Sequence, residues 1–238
     1  ISVATSQGHT SKNVAQKWNF QKSTCEADEI ISDTSNTVFI ATRHDMHAEY
    51  VIKALDKGKN VFVEKPLCMN MEELGQIKEI YTENNAKLMV GFNRRFAPHM
   101  QDVKSVFSDQ QPKAINYRIN AGHIPDDHWI QDKNIGGGRI IGEVCHFVDL
   151  AMYVTDSLPE TLSASAMEEP HGNLDTLNIN IAFQDGSIAN VSYFANGSKA
   201  MKKERLEVFS SGKSAVIDDF KKLYIYKNRK KTKRKLNQ

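Results

Sequence analysis

The stretch Asn60–Leu67, NVFVEKPL, decides the fold, because a short apolar run meets an acid, a lysine and a proline there. The run Val61–Val63 predicts a buried strand, and Pro66 forces a turn where the strand ends. In open α/β sheets, ligands bind at the carboxyl ends of the strands. Glu64 and Lys65 are therefore either a solvated pair after a core strand or part of a binding site. Pro66 can also take the cis peptide bond.

The composition is that of a globular protein, with 40% hydrophobic and 25% charged residues in a chain of 238 residues. No apolar run approaches the ~20 residues that a membrane helix needs, so no membrane partner is expected. Three cysteines are scattered along the chain in neither disulfide nor zinc spacing. We therefore expect reduced thiols, a cytoplasmic location and no metal site.

Positive charge is concentrated near the carboxyl end, where Lys227–Lys235 holds seven lysine and arginine residues. Without them the net charge of +2 becomes 2 − 7 = −5. Such a basic tail is typical of a disordered end or an interaction arm. Binding to nucleic acid would need interleaved aromatic residues, and Tyr224 and Tyr226 belong to a predicted strand. No nucleic acid partner is therefore expected.

The first 93 residues alternate short apolar strands with helices, in the order β-α-α-β-α-β-α-β. The run Thr37–Ala41 (TVFIA) is continuously apolar, which predicts a strand covered on both faces. Ser11 or Thr10, Asp45 and Asn70 are predicted helix caps, and Asn70 has Glu73 at the capping-box position. The pattern predicts a parallel, doubly wound sheet. The predicted strands are Ser2–Thr5, Thr37–Ala41, Asn60–Val63 and Lys87–Phe92, and two helices are Lys12–Trp18 and Glu26–Ile31.

The pattern changes near Arg94, after which strands with turn signals between them predict a mainly antiparallel sheet. The expected fold is thus α/β, with an incomplete Rossmann-like domain (residues 1–93), an α+β domain for substrate and oligomerisation (94–228) and a basic tail (229–238). The predicted elements of the second domain are helices at Phe96–Ser108 and Arg139–Val154 and strands at Ala114–Asn120, Thr176–Phe183, Ile188–Ala195, Leu206–Phe209, Ala215–Ile217 and Lys222–Tyr226.

Two further stretches carry possible chemistry. Residues 41–47 (ATRHDMH) follow a strand and lead into a helix, whose N-terminus favours negative groups. Downstream, GGG (136–138) precedes a helix on which Glu143, His146 and Asp149 share one face at a spacing of three residues. An imidazole that titrates near neutrality suits a general base. A solvated joint and a core helix remain open alternatives for these two stretches.

Together, in this order, the motifs resemble the Gfo/Idh/MocA family of NAD(P)-dependent sugar and cyclitol oxidoreductases, over nearly the whole chain. The matching stretches are VFIATRHDMH, EKPL, GFNRRF (91–96), HWIQDKNIGGG (128–138) and GEVCHFVDL (142–150). The module found in bi-domain oxidoreductases is the most similar in character. The resemblance implies an enzyme that transfers a hydride between a nicotinamide cofactor and a hydroxyl-bearing carbon.

The resemblance also implies roles for individual residues. Lys65 would be the catalytic lysine and His146 the acid/base, with Glu143 as a third catalytic candidate. The residues implied to line NAD or NADP are Thr5, Ser6, Ala41, Thr42, Arg43, His47, Glu64 and Asn93. The residues implied to lie near the sugar or to support its site are Arg95, Trp129 and Asp149. The resemblance further implies homo-oligomers formed through the antiparallel sheet.

The sequence departs from the family pattern in two ways. Gly142 stands where the family has an Asp four residues before the histidine, and adjacent Glu143 is not geometrically equivalent. No G-x-G-x-x-G occurs in the sequence, so the turn that would hold the pyrophosphate is missing. We therefore expect an amino-terminally truncated piece with impaired cofactor binding, cut from an active parent. Thr5 and Ser6 leave NAD versus NADP open, and a non-catalytic scaffold is the alternative.

Overall fold

The computed structural model describes residues 1–168 and 174–235, and it divides into two compact units. Unit 1 comprises Ile1–Gly91 and the short segment Asn134–Gly137, and unit 2 comprises Phe92–Lys133 and the chain from Gly138 onward. Across the described residues, no helix combines the length and apolar character needed to cross a membrane.

Unit 1 is a βα repeat, and its strands pair in parallel as the sequence predicts. The first two strands form a two-stranded sheet, and the next three form a second sheet in sequence order. The second strand is short and polar, which is why no apolar pattern predicts it. The elements are β1 (Ser2–Ala4), α1 (Gly8–Trp18), β2 (Lys22–Thr24), α2 (Ala27–Ile31), β3 (Thr37–Ile40), α3 (His47–Asp56), β4 (Asn60–Val63), α4 (Met71–Glu83) and β5 (Leu88–Val90).

Helix α4 begins at the predicted cap. The Asn70 side chain accepts a hydrogen bond of 2.9 Å from the Glu73 amide. The Glu73 carboxylate reaches back one residue further than a standard capping box, since it accepts from the Met69 amide at 2.8 Å. Both contacts satisfy amides that the helix itself leaves without partners.

The other two predicted caps are wrong. Helix α1 starts at Gly8, so neither Thr10 nor Ser11 precedes it. Ser11 is buried instead, and its hydroxyl donates to the Thr24 carbonyl oxygen at 2.8 Å, which ties the helix to β2. Asp45 lies inside a 3₁₀ turn (His44–Met46) that precedes α3, and its side chain caps no amide of α3.

The sheet β3-β4-β5 is covered by helices on one face only. Val38 and Ile40 of β3 are buried against α3 and α4, with Val61 and Val63 of β4 beside them. Phe39 points the other way and is 75% exposed, so the prediction of a strand covered on both faces is wrong. The register places Phe62 and Met89 beside it, in an exposed apolar row across the three strands.

In its described residues, unit 2 has the α-helices α5 and α6 and a sheet with the strand order β13-β12-β11-β10-β6-β9-β8-β7. Neighbouring strands are antiparallel except β6 and β9, which pair in parallel. The sheet is thus mainly antiparallel, as predicted. The elements are α5 (Pro98–Val106), β6 (Ala114–Asn120), α6 (Cys145–Thr155), β7 (Pro159–Met167), β8 (Thr176–Phe183), β9 (Ile188–Phe194), β10 (Glu204–Ser210), β11 (Lys213–Asp218), β12 (Lys222–Lys227) and β13 (Lys230–Lys235).

The helices α5 and α6 contribute apolar side chains to one core with the inner face of this sheet. Strand β8 shows which face of the sheet meets the core, because Ile179 and Ile181 are buried whereas Asn178 and Asn180 are exposed. Successive side chains of a strand point to opposite faces of the sheet, so the pairing register decides which residues face the core.

The predicted disorder of the basic tail is wrong for its described residues. Lys230–Lys235 forms β13, which pairs antiparallel with β12 at the edge of the sheet. Asn228 and Arg229, with φ of 53° and 60°, make the tight turn between the two strands. The charge pattern could not reveal this, because register and turn geometry hold the strand rather than a buried apolar face. Residues 236–238 lie outside the described part of the chain.

The one-sided sheet of unit 1 yields a stability prediction. We expect Ile40→Ala to lower the free energy of unfolding by about 2–5 kcal/mol, because it leaves a cavity in the core. Phe39→Ala, on the exposed face of the same strand, should change it by less than about 1 kcal/mol. Urea unfolding of both variants, followed by circular dichroism, checks this. Equal losses would contradict the assignment of faces.

Candidate functional site

Two strand ends in unit 1 carry the predicted nucleotide-binding and lysine motifs. The parallel register pairs Ile40 with Val63, so the residues that follow β3 and β4 leave the sheet at the same edge. Lys65 follows β4 and is half-buried, and the peptide bond between it and Pro66 is cis. This edge is where open α/β sheets bind ligands.

The joint after β3 presents exposed backbone and short side chains. Ala41, Thr42 and Arg43 are all exposed. The Thr42 hydroxyl donates to the Arg43 carbonyl oxygen at 3.2 Å. Small residues at this position permit a flat ligand to approach the backbone, with Arg43 supplying a positive charge.

His47 braces the two joints. It is completely buried, with Nδ1 2.6 Å from the Pro66 carbonyl oxygen and Nε2 3.2 Å from the Thr42 carbonyl oxygen. The imidazole therefore fixes the turn after Lys65 against the turn after β3. Its implied contact with a dinucleotide stays a prediction, whereas its bracing role follows from these distances.

His44 connects this edge to the glycine-rich segment. Its Nδ1 lies 2.8 Å from the Gly136 carbonyl oxygen, and the Asp45 amide donates to the Ile135 carbonyl oxygen at 3.1 Å. Burial lowers the pKa of His44 below its ordinary value, the contact with Gly136 opposes this, and the charge of Lys65 lowers the pKa further. The first glycine of GGG thus lies beside the first motif, and Lys65 is near enough to act on His44.

Glu64 is placed by close backbone packing at the strand ends. Its amide donates to the Ile40 carbonyl oxygen at 2.9 Å, and the Gly91 amide donates to the Val63 carbonyl oxygen at 2.7 Å. A Cβ atom at Gly91 would lie 3.0 Å from Glu64 Oε2. The glycine that opens GFNRRF therefore makes room for the Glu64 carboxylate.

The residues implied to meet the ribose lie after β1. The Thr5 amide donates to the Thr24 carbonyl oxygen at 3.3 Å, and the Thr5 hydroxyl donates to the Gln7 carbonyl oxygen at 2.9 Å. Ser6 is exposed. The Thr5 hydroxyl is thus already used within its own loop, whereas Ser6 faces solvent.

His146 lies in the first turn of α6 in unit 2. Its side chain is 8% exposed, and its ring stacks on Phe92 with centroids 6.2 Å apart and meets the edge of Phe147 at 5.8 Å. A π-helical turn at Ile140–Val144 precedes α6. Such turns are frequent at functional sites, because they shift the side chains that follow them.

Arg95 and Asp149 form a bidentate ion pair. Arg95 Nε donates to Asp149 Oδ2 at 2.6 Å, and Arg95 Nη2 pairs with Oδ1. The hydrogen bond to Asp149 raises the pKa of Arg95. Asp149 is buried one turn beyond His146, so the pair anchors that turn of the helix. This arrangement suits the supporting role rather than direct contact with a sugar.

Glu143 is held by two partners that sequence reasoning missed. Tyr193 donates to Glu143 Oε2 at 2.8 Å, and Arg139 Nε lies 3.3 Å from Oε1. Burial, with Glu143 beside the hydroxyl, raises the pKa of Tyr193. Arg139 is 1% exposed and donates to the Gly122 carbonyl oxygen at 2.7 Å. The four-residue spacing of Arg139 and Glu143 could have signalled their pairing, whereas Tyr193 comes from a distant strand.

The remaining implied residues, Asn93 and Trp129, lie in unit 2. Asn93 is exposed in a 3₁₀ turn (Asn93–Phe96), and half-buried Trp129 lies against His128 with ring centroids 5.8 Å apart. Among the described residues, no group of three His, Cys, Asp or Glu side chains is placed to hold a metal ion. The predicted site residues divide into Thr5, Ser6, Ala41, Thr42, Arg43, His47, Glu64 and Lys65 in unit 1 and Asn93, Arg95, Trp129, Glu143, His146 and Asp149 in unit 2.

Two family models match the chain. One describes the NAD-binding Rossmann fold of the Gfo/Idh/MocA oxidoreductase family and covers residues 1–92. The other describes the C-terminal domain of the same family and covers residues 100–216. The two matches account for most of both units.

Similar proteins carry dehydrogenase names. Inositol 2-dehydrogenase of Rhizobium meliloti is 26% identical over 70% of this chain and 50% of its own length. scyllo-Inositol 2-dehydrogenase (NAD(+)) of Bacillus subtilis is 28% identical over 76% and 55%. The chain thus spans about half the length of these curated relatives. The structure of levoglucosan dehydrogenase in complex with NADH shares the fold, with a TM-score of 0.86, 22% identity and coverage of 100% of this chain and 70% of that one.

His44 yields a prediction about pH. Because burial lowers its pKa in the folded state, the unfolded chain takes up the proton first as pH falls below about 6.5. The free energy of unfolding should therefore decrease from about pH 7 downward until the folded pKa is passed. His44→Asn should reduce this decrease, as measured by urea unfolding across that range.

The matched control for His44→Asn is His9→Asn, which changes an exposed histidine on α1. The control should keep the pH dependence of the parent chain. If both variants keep it unchanged, His44 does not contribute to it.

Proposed function

Because the chain belongs to the Gfo/Idh/MocA family of oxidoreductases, we propose that it is the catalytic core of an enzyme that oxidises a hydroxyl-bearing carbon of a sugar or cyclitol. The observation that supports this is the position of Lys65, half-buried at the carboxyl end of β4 and next to the joint that follows β3. A lysine there can reach a ligand bound at the sheet edge.

The residues at this edge fit a nicotinamide dinucleotide in part. The exposed backbone after β3 and the charge of Arg43 suit a flat anionic ligand, and Gly91 leaves space at Glu64. When bound, the dinucleotide supplies the acceptor for the hydride. Ala41, Thr42, Arg43, Glu64 and, from unit 2, Asn93 are the proposed contacts. The proposed cofactor is NAD or NADP.

We assign the proton chemistry to Lys65 and His146. The Lys65 ammonium group donates a hydrogen bond to the reacting hydroxyl oxygen and orients it. The His146 imidazole accepts the hydroxyl proton as the carbon–hydrogen bond breaks. Phe92 and Phe147 restrict the ring of His146, and the Arg95–Asp149 pair anchors the following helical turn.

A non-catalytic scaffold is the second candidate. Gly142 occupies the position at which the family has an aspartate, and the neighbouring Glu143 is engaged by Arg139 and Tyr193. If Glu143 cannot substitute for that aspartate, the fold survives without its chemistry. Activity that depends on Lys65 distinguishes the two candidates.

The proposed location is a reducing compartment such as the cytoplasm. The absence of a disulfide among the cysteines of the described residues supports this.

The proposal predicts that cofactor binding is limited by the missing glycine turn. NADH fluorescence should show weak binding to the chain as given. Binding should be at least about tenfold tighter after a strand, a G-x-G-x-x-G turn and a helix are joined to Ile1, because backbone amides at such a turn bind the pyrophosphate. An extended chain that binds no NADH would contradict the proposal.

In the extended chain, oxidation of a panel of inositols and sugars is followed by NADH absorbance. Lys65→Ala and His146→Asn should each lower kcat/KM by about 10²–10⁴. Lys57→Ala, an exposed lysine on the same unit, is the matched control and should leave it unchanged. If NADH binds but no compound is oxidised, or if Lys65→Ala matches the control, the scaffold reading stands instead.

We also propose that the apolar part of the open face of the sheet in unit 2, over β8, β9, β6 and β10, joins two copies of the chain. On that face the register aligns an apolar row, Ala182, Ile188, Ala114 and Phe209, across β8, β9, β6 and β10. Ile188 is 57% and Phe209 43% exposed, and the row borders a shallow cavity of about 530 Å³. Exposed apolar patches of this kind mark association surfaces.

This proposal predicts a dimer that charge on the open face disrupts. Ile188→Asp should raise the dimer dissociation constant at least tenfold, because it buries an unpaired carboxylate in the interface. Met71→Asp, at an exposed apolar residue of unit 1, is the matched control. Sedimentation equilibrium measures both, and a parent chain that remains monomeric at high concentration would overturn the proposal.

A further inference from the structure

The hairpin β12–β13 carries a row of lysine and tyrosine side chains on one face. Its register pairs Lys222 with Lys235, Tyr224 with Lys233 and Tyr226 with Lys231. Residues paired across antiparallel strands lie on the same face. On the other face Leu223 is completely buried, so the lysine–tyrosine row faces away from the core.

The positive charge of this hairpin is not balanced within it. The segment 222–235 has eight lysine and arginine residues and no acidic residue. Lys222 lies opposite Lys235, and Lys227 lies opposite Lys230. Like charges directly opposite each other destabilise a strand pair, so an anionic ligand here would stabilise the hairpin.

The nearest acidic side chains on the same face are already paired. Glu207 lies 2.8 Å from Arg205, and Asp218 lies 2.5 Å from Lys202. Apart from Lys222, which lies opposite Asp218 on β11, the lysine–tyrosine row is a basic surface at the edge of the sheet.

The tyrosine rings are part of the basic surface. Lys231 Nζ lies 4.7 Å from the centroid of the Tyr224 ring and 5.6 Å from that of Tyr226, and Lys233 Nζ lies 5.8 Å from Tyr224. Tyr226 remains 38% exposed. Lysines on an edge strand also prevent another strand from pairing with that edge. Preventing such pairing requires neither opposed lysine pairs nor exposed tyrosine rings next to the lysines.

Against the expectation from the sequence alone, we infer that the outer face of the β12–β13 hairpin binds single-stranded nucleic acid, because the hairpin register places the two tyrosines among the lysines. Cations in a row and aromatic rings on a sheet are the two elements of such sites, since phosphates pair with the cations and bases stack on the rings. Along β13 the outward lysines repeat about every 6.8 Å, twice the rise per residue, which suits an extended strand. An acidic polypeptide would use the lysines but not the tyrosines.

The test uses the whole chain and a fluorescein-labelled oligothymidylate about 20 nucleotides long, with binding measured by fluorescence anisotropy. Binding should weaken with salt, with a slope of about −2 in log K against log salt for three lysine contacts. Lys231→Ala/Lys233→Ala should reduce the slope by about 1.4. Tyr226→Ala should weaken binding about tenfold, and Tyr226→Phe should preserve it.

Matched controls remove the same groups elsewhere. Lys57→Ala/Lys78→Ala takes two exposed lysines from unit 1, and Tyr81→Ala takes an exposed tyrosine from α4. Both should bind as the parent chain does. If the double alanine variant of β13 loses its circular dichroism spectrum, Lys231→Gln/Lys233→Gln replaces it.

Three outcomes would overturn the inference. In the first, the parent chain does not change the anisotropy of the oligonucleotide at low salt. In the second, Lys231→Ala/Lys233→Ala and Lys57→Ala/Lys78→Ala weaken binding equally, which shows that only net charge matters. In the third, Tyr226→Ala binds normally and polyglutamate displaces the oligonucleotide as well as unlabelled DNA does, which identifies a surface for acidic polypeptides.

Discussion

The parallel pairing of Ile40 with Val63 is the constraint on which the candidate site in unit 1 depends. It brings two loops of unrelated sequence to the same sheet edge, one with small residues and Arg43, the other with Glu64 and Lys65. A slip of one residue would turn the inward side chains of β4 to the exposed face and move Lys65 away from the edge. Burial of Val61 and Val63 on one face makes that slip costly, so core packing also fixes the position of Lys65.

The loops are then held by backbone contacts that use histidine and glycine for different reasons. His47 places a ring nitrogen within hydrogen-bond distance of one carbonyl oxygen from each loop, and an imidazole N–H that donates to such an oxygen holds the loop in place. Gly91 leaves space, since a Cβ atom there would press on the Glu64 carboxylate. The sequence shows that this histidine and this glycine are present. It does not show which atoms they contact, because those atoms belong to other segments of the chain.

The sequence pattern predicts those elements whose side chains obey a period. Strand β6 and strand β8 begin and end where alternation predicts, and Asn70 caps α4. Two strands that the pattern misses are polar, and each is held by pairing and turn geometry rather than by a buried apolar face. β2 is polar and needs β1 beside it, and β13 needs the turn at Asn228 and Arg229. Likewise, spacing predicts Glu143, His146 and Asp149 on one helix face, but Glu143 lies in the π-helical turn before α6, and only the fold shows what holds each residue.

The carboxylates of Asp149 and Glu143 differ in how many of their acceptor sites are already used by other side chains. Asp149 has both oxygens in a bidentate pair with Arg95, so its negative charge is balanced where it is buried. Glu143 accepts from Tyr193 at one oxygen and faces Arg139 at the other. A carboxylate has about four acceptor sites, and Tyr193 and Arg139 occupy two of those at Glu143. Glu143 is thus an anchored acceptor rather than a mobile acid, and this limits how it could compensate for Gly142. It could orient a donor brought to it, but its movement toward one would break the contacts with Arg139 and Tyr193.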